Sequence, residues 1–250
     1  MNKYLKNLNR IEFVVTMACS GRCKHCSQGN HISNEHIDDV KAQQAIYDIC
    51  SHYNIDSLMT FGGEPLLYPE TVCKIHSAAR KMNIPQRELI TNGYFSKDIG
   101  RIKEVANMLA QSGVNGICLS VDAFHQETIP LEYVKEFASA VVKEEISIHT
   151  HPAWLVSADD DNPYNLKTRE MLNEFSEMGI EQSSSNVIFP SGNALKYLGE
   201  YFDQDVEYDN PYRENPKDVK TISFSANGDV LCRNIYKDSI LEIMGSYSIT

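Results

Sequence analysis

The chain has 250 residues, 42% of them hydrophobic and 23% charged, which suits one folded α/β domain with at most a small appendage and leaves no room for two full domains. Its formal net charge of −11 repels a phosphate backbone, so a nucleic-acid partner is not expected. No apolar run approaches the ~18 residues that span a bilayer, and the opening MNKYLKNLNR lacks the apolar core of a signal peptide; the expected location is the cytoplasm, with no membrane partner.

In chain order, IEFVVT (11–16) reads as a strand and is followed by a cysteine-rich loop. Residues 33–53 carry Ile46, Ile49, Cys50 and Tyr53 at helical spacing behind a cap-like Ser33. SLMTF (57–61) is strand-like and ends in Gly-Gly. The alternation continues with a helix over 71–82, the strand ELITNG, a helix over 98–113 closed by Gly113, and the strand GICLSVD. A helix over 131–144, the strand ISIHTH, a helix over 166–179 closed by Gly179, and the strand SNVIF (185–189) complete the series. Six β/α units in succession predict a parallel sheet with helices outside it, a partial (β/α)6 barrel of the TIM type.

From about residue 200 the pattern changes. Residues 1–199 are expected to form the core domain, and residues 200–250 an acidic linker followed by a small extension. Within that extension, TISFSANGDVLCRN predicts a β-hairpin turning at Asn227-Gly228.

Strand parity locates a pocket. In GICLSVD, Ile117, Leu119 and Val121 share the face suited to the helices, while Cys118, Ser120 and Asp122 share the other. In ISIHTH, Ile146 and Ile148 alternate with Ser147, His149 and His151. Polar side chains on the inner face of a sheet, near its C-terminal edge, line a cavity or satisfy one another.

Seven cysteines, an odd and unevenly spaced set, do not make a disulfide framework. Cys50, Cys73, Cys118 and Cys232 are scattered and read as small buried residues. Cys19, Cys23 and Cys26 fall within eight positions, with no fourth cysteine nearby. Two metal chemistries suit them: a structural zinc completed by His25, His31 or His36, or a four-iron cluster held by three thiolates with one iron open to an outside ligand. Spacing alone does not choose.

Cys19-x-x-x-Cys23-x-x-Cys26 after the first strand resembles the signature loop of the radical S-adenosylmethionine (SAM) superfamily, including His25 at the position that is typically aromatic there. The second strand ends in Gly62-Gly63-Glu64-Pro65, similar to the family's segment against the methionine ammonium. Glycines let backbone approach a ligand closely, and a carboxylate suits a cation. Thr91-Asn92-Gly93 and Ser120-x-Asp122 resemble weaker segments of the subgroup that holds the SPASM/Twitch peptide-modifying enzymes and the molybdenum-cofactor cyclase. Pro190-Ser191-Gly192-Asn193-Ala194 resembles the segment reading Gly-Arg-Ala in many relatives, with Asn193 in place of Arg.

The resemblance, spanning about residues 10 to 195, implies one [4Fe–4S] cluster on Cys19, Cys23 and Cys26 whose fourth iron is chelated by SAM. It assigns SAM contacts to His25, Gly62, Gly63, Glu64, Pro65, Asn92, Ser120 and Asp122. It also implies reductive cleavage of SAM to a 5′-deoxyadenosyl radical, hydrogen abstraction from a peptide or small molecule, and a flavodoxin or ferredoxin as low-potential donor. Cys232 is the one cysteine after Cys118, so the auxiliary clusters of many relatives are not expected. His125, Gln126, His149 and His151 are candidates for the pocket wall. Two other classes are an activase for a glycyl-radical enzyme and a non-enzymatic zinc or iron–sulfur interaction protein, the latter leaving Gly62 to Pro65 unexplained.

Overall fold

The computed structural model describes residues 2–29, 33–184, 186–203, 205–206, 208, 210 and 213–249. His31 and parts of the acidic stretch after residue 200 lie outside them. The elements run β1 (Arg10–Thr16), α1 (Asp39–Cys50), β2 (Ser57–Gly62), α2 (Pro69–Lys81), β3 (Gln86–Thr91), α3 (Ile99–Ser112), β4 (Gly116–Leu119), α4 (Leu131–Lys143) and β5 (Ser147–Thr150). Then come β6 (Ala153–Trp154), α5 (Pro163–Glu177), β7 (Asn186–Val187), α6 (Gly192–Tyr197), β8 (Thr221–Phe224), β9 (Asp229–Val230), β10 (Arg233–Asn234) and α7 (Ile240–Ser246).

The main sheet has six strands in the order β5-β4-β3-β2-β1-β8, every neighbouring pair parallel. A parallel sheet needs crossovers, and the helices supply them by burying one apolar stripe each. In α4 the buried residues Val134, Phe137, Ala138 and Val141 recur at helical spacing. On the helix side of the strands, Ile11, Phe13, Leu58, Leu89 and Ile117 are fully buried. No helix among the described residues is long and apolar enough to cross a membrane.

Local chemistry sets the boundaries. The first helix starts at Asp39 rather than near Ser33, because Asp38 caps it by accepting from the Lys41 N–H at 2.8 Å. Ser33 instead accepts from the Glu35 N–H within the preceding loop. Gly113 ends α3 at φ +91°, a left-handed conformation that glycine adopts without penalty.

Two strands differ from the sequence expectation. Of SNVIF, whose Ser185 lies outside the described residues, Asn186–Val187 are strand, in parallel with Ala153–Trp154, and an isolated bridge between Thr150 and Gln182 carries the same edge past β5. The second difference is TISF, which joins the main sheet as β8, parallel to β1, with Phe224 stacked on Phe13 at 4.6 Å. A hairpin does follow, but β9 and β10 turn at Leu231-Cys232, both at positive φ, and not at Asn227-Gly228. The latter pair makes the turn from β8 into β9, where the Ser225 N–H donates to the Asp229 carbonyl.

Candidate functional site

The site gathers where the strands of the main sheet end. Cys19, Cys23 and Cys26 occupy the loop that follows β1, where the Cys26 N–H donates to the Cys23 carbonyl and the Gly29 N–H to the Cys26 carbonyl. Cys23 is buried and Cys26 half-buried. Cys19 lies at the solvent boundary, yet crowding around its thiol pushes its pKa up to about 11. Burial, with the charge of Asp122 nearby, raises Cys23 further. Such thiols remain protonated until a cation arrives to stabilise the thiolates.

The surroundings suit a thiolate-bound group. The Gly21 N–H points at Cys19 Sγ at 3.3 Å, and Asn92 Nδ2 lies 3.7 Å from the same sulfur. A Cβ on Gly21 would stand 3.4 Å from Cys23 Sγ and 2.9 Å from Ile129 Cδ1, so a larger residue there has to displace the end of the Ile129 side chain. Three thiols on one loop, donors aimed at sulfur and a glycine cradle fit an iron–sulfur cluster.

Gly62-Gly63-Glu64-Pro65 is pressed against this loop. The Gly63 N–H donates to the Thr16 carbonyl at 2.8 Å and the Glu64 N–H to the Ala18 carbonyl at 2.7 Å. A Cβ on Gly63 would lie 2.1 Å from the Ala18 oxygen, and one on Gly62, at φ +145°, 2.3 Å from the Thr16 oxygen. These glycines therefore admit the backbone of the cysteine loop itself.

Glu64 is fully buried. Its Oε1 accepts from the Leu66 N–H at 2.9 Å and the Thr91 hydroxyl at 2.7 Å, and its Oε2 from the Asn92 N–H at 2.8 Å. Burial pushes its pKa up to about 7 against the pull of these donors. Two carboxylate oxygens have roughly four acceptor positions, so about one stays open. Asn92 is tied in turn to Ser20, its Nδ2 donating to the hydroxyl at 3.2 Å.

Ser120 is buried past the end of β4, and its N–H donates to the Thr91 carbonyl. Asp122 is fully buried and accepts from the N–H groups of Phe124, His125 and Ala153 and from His125 Nδ1, the last at 2.8 Å. Burial alone would raise this carboxyl; the neighbouring His125 and His25 and the hydrogen bonds overcome it and hold the pKa below the usual carboxylate range. Those four bonds fill its acceptors from within the chain.

His25 packs beside this group, 4.7 Å from the His125 ring and 5.1 Å from Phe124. Burial lowers its pKa to about 4, and its Nδ1 has no hydrogen-bond partner. Cys23, His25 and His125 each bring one donor atom within 4.8 Å of the others. His36, the other described candidate for a zinc shell, instead stacks on Tyr68. Gln126 turns toward Asp122, its Oε1 accepting from the Asp122 N–H. His151 Nδ1 pairs with the Ser183 hydroxyl at 2.9 Å, a wall contact.

Below these loops, the register sorts the inner side chains into rows. Ser223, Glu12, Met59, Glu88, Gly116 and Ser147 stand side by side across six strands, and Ile90, Cys118 and His149 form part of the next row up. Arg10 Nε pairs with Glu12 at 2.7 Å. Cys118 is pushed up to about 11 by burial and the Glu88 charge, against the pull of Arg10, so these groups share one interior. Arg10, Glu12 and Glu88 were legible from parity, since Ile11, Phe13 and Val15 claim the opposite face.

For Gly192 and Asn193, in the segment resembling Gly-Arg-Ala, the sequence does not show what they touch. The Asn193 N–H donates to the Cys26 carbonyl at 2.9 Å and its Nδ2 to the Cys23 carbonyl at 3.2 Å. Gly192, at φ +53°, would place a Cβ 2.3 Å from the Ser27 oxygen. The segment after β7 thus clamps the cysteine loop.

Comparison with known proteins bears on the family and the fold. The family model of the Radical SAM superfamily matches residues 13–155. The GTP 3′,8-cyclase of Desulforamulus reducens is 24% identical over 131 residues, 51% of this chain and 38% of that protein. The GTP 3′,8-cyclase of Nautilia profundicola is 22% identical over 149 residues, 57% of this chain and 44% of that one. The matched region thus spans about two fifths of the length of these relatives. Among solved structures, native anSMEcpe with bound AdoMet superposes with a TM-score of 0.61 at 14% identity, covering 94% of this chain and 80% of that one. Streptococcus suis SuiB bound to the precursor peptide SuiA gives 0.61 at 12% identity, covering 97% and 65%. At such identities the likeness is one of fold.

Proposed function

The chain belongs to the radical SAM superfamily, and on that premise we propose that it cleaves SAM reductively to draw a hydrogen atom from a peptide or small molecule. In this reading Cys19, Cys23 and Cys26 hold one [4Fe–4S] cluster with an iron left open to SAM. Bound together, the cluster and SAM supply a 5′-deoxyadenosyl radical, chemistry that no side chain provides.

The chain's own groups position and shield. The open acceptor of Glu64, with the turn of Gly62, Gly63 and Pro65, takes the methionine ammonium, since a buried carboxylate gains most from a cation. Asn92 and Ser120 offer polar contacts beside it, and His25 packs against the cofactor from the cysteine loop. Asp122, its acceptors engaged, acts at one remove by fixing His125. The substrate enters the interior above Glu12, Glu88, Cys118 and His149. A low-potential flavodoxin or ferredoxin delivers the electron where Cys19 reaches the surface. Residues 1–199 supply this core in our reading, and the segment beyond them supports its edge.

One observation carries the reading. Two backbone hydrogen bonds, Gly63 to Thr16 and Glu64 to Ala18, join the cysteine loop to the Gly-Gly-Glu-Pro turn, so the expected iron ligands and the expected ammonium acceptor share one rigid edge. The test is anaerobic reconstitution with iron and sulfide, then dithionite and SAM, with 5′-deoxyadenosine measured. Product from the wild type and none from Cys23→Ala supports the proposal. A chain that has been stripped of zinc by chelator, stays colourless after iron and sulfide and yields none would reject it in favour of an interaction protein, and a glycyl-radical signal in a co-purified partner would redirect it to an activase.

A further inference from the structure

The cluster reading uses the Cys23 sulfur but gives no metal-ligand role to the two histidines beside it. We infer that the cluster-free chain has a second, mutually exclusive metal site, in which Cys23, His25 and His125 hold a single Zn2+-class divalent cation. One donor atom from each already lies within 4.8 Å of the other two. Zinc bonds of about 2.0–2.3 Å imply donor separations of about 3.5 Å in a tetrahedron, so side-chain movements of about 1 Å close the site.

Three features prepare it. Asp122 Oδ2 engages His125 Nδ1 at 2.8 Å, which fixes the ring and reserves Nε2 for a metal, the carboxylate–histidine–metal arrangement. His25 Nδ1 is buried with no partner, a polar atom that a cation would satisfy. Charge also balances. Binding releases one proton from the Cys23 thiol, and the resulting thiolate together with the Asp122 carboxylate offsets the two charges of the cation. One thiolate and two imidazoles suit Zn2+ or Co2+, with the fourth position left to water.

The inference goes beyond the proposed activity, because it concerns the chain before any cluster is built. Both occupants claim the Cys23 sulfur, so a captured cation blocks cluster assembly until it is removed.

Co2+ is the probe, added anaerobically to full-length chain stripped of iron and zinc by chelator. The expected result is one equivalent bound, tetrahedral visible bands and charge-transfer intensity of one thiolate. Cys19→Ala and Cys26→Ala should bind as the wild type does, and His125→Asn about 10-fold or more weakly. One equivalent of Zn2+ added before iron and sulfide should suppress cluster formation in the wild type and much less in His125→Asn. Charge-transfer intensity of three thiolates, loss of binding in Cys19→Ala and Cys26→Ala, or unchanged binding in His125→Asn would overturn the inference. None of these readouts depends on SAM cleavage, so failure here and failure of the enzymatic reading are separable.

Discussion

The backbone N–H of Asn92 donates to Oε2 of Glu64 at 2.8 Å, so the carboxylate that follows strand β2 also fixes the turn after strand β3. Replacing Glu64 with Gln sets an NH2 group against at least one donor that now faces oxygen. We expect a loss of about 1–3 kcal/mol in chemical denaturation and the loss of SAM binding by calorimetry.

The same carboxyl gives a pH signature. Its pKa is raised to about 7 in the folded chain, from 4.5. A raised value means stability fully present below about 4.5 and lost as pH climbs through about 7. The ligand-free wild type should therefore lose stability across that window relative to Glu64→Gln. An ammonium partner favours the ionised form, so SAM binding should release protons near pH 7 and strengthen between about pH 6 and 8. Calorimetry in buffers of different ionisation enthalpy reads both.

Asp122 shows the opposite sign. Its depressed pKa contributes stability present above the ordinary value of 3.8 and lost as pH falls below it. Asp122→Asn lacks this contribution and sets its NH2 group against two of the four donors. It should be about 1–3 kcal/mol less stable at neutral pH and lose less than the wild type on acidification, as thermal melts at pH 3 to 7 will record.

Gly63→Ala is a steric test of the clamp on the cysteine loop. A Cβ 2.1 Å from the Ala18 oxygen forces backbone apart, and we expect a loss of more than about 2 kcal/mol, with reduced iron content after reconstitution. Gly179→Ala meets nothing within 4 Å, though at φ +77°, and should lose only about 1 kcal/mol with iron content unchanged.

Phe224→Ala tests whether strand β8 belongs to the main sheet. Phe224 is fully buried and stacked on Phe13; its loss should cost about 3–5 kcal/mol. Cutting the chain before Thr221 would bare the edge of β1 and should give aggregated protein by size-exclusion chromatography.

The β/α alternation was legible because each helix carries one apolar stripe and each outer strand face one apolar row, patterns confined to a dozen residues. TISF misled for the same reason: Asn227-Gly228 is a strong local turn signal, while the parallel partner of Thr221–Phe224 lies about 210 residues earlier, at Arg10–Phe13. The true hairpin turn uses Leu231 and Cys232 at positive φ, which neither residue type advertises. At the site, spacing grouped the three cysteines, and the family resemblance singled out Gly62 to Pro65. Neither revealed that the glycines admit backbone, that Asp122 is saturated from within, or that Asn193 reaches the cysteine loop from 170 positions away, because those depend on packing between distant segments.

That last contact bears on biosynthesis. Asn193 and Gly192 brace the carbonyls of Cys23, Cys26 and Ser27, so a nascent chain with its cysteines already outside the ribosome still lacks the brace that shapes them. On the proposed cluster reading, orderly metallation therefore waits until Asn193 has emerged, and a maturation factor would meet its acceptor in finished form only after that point.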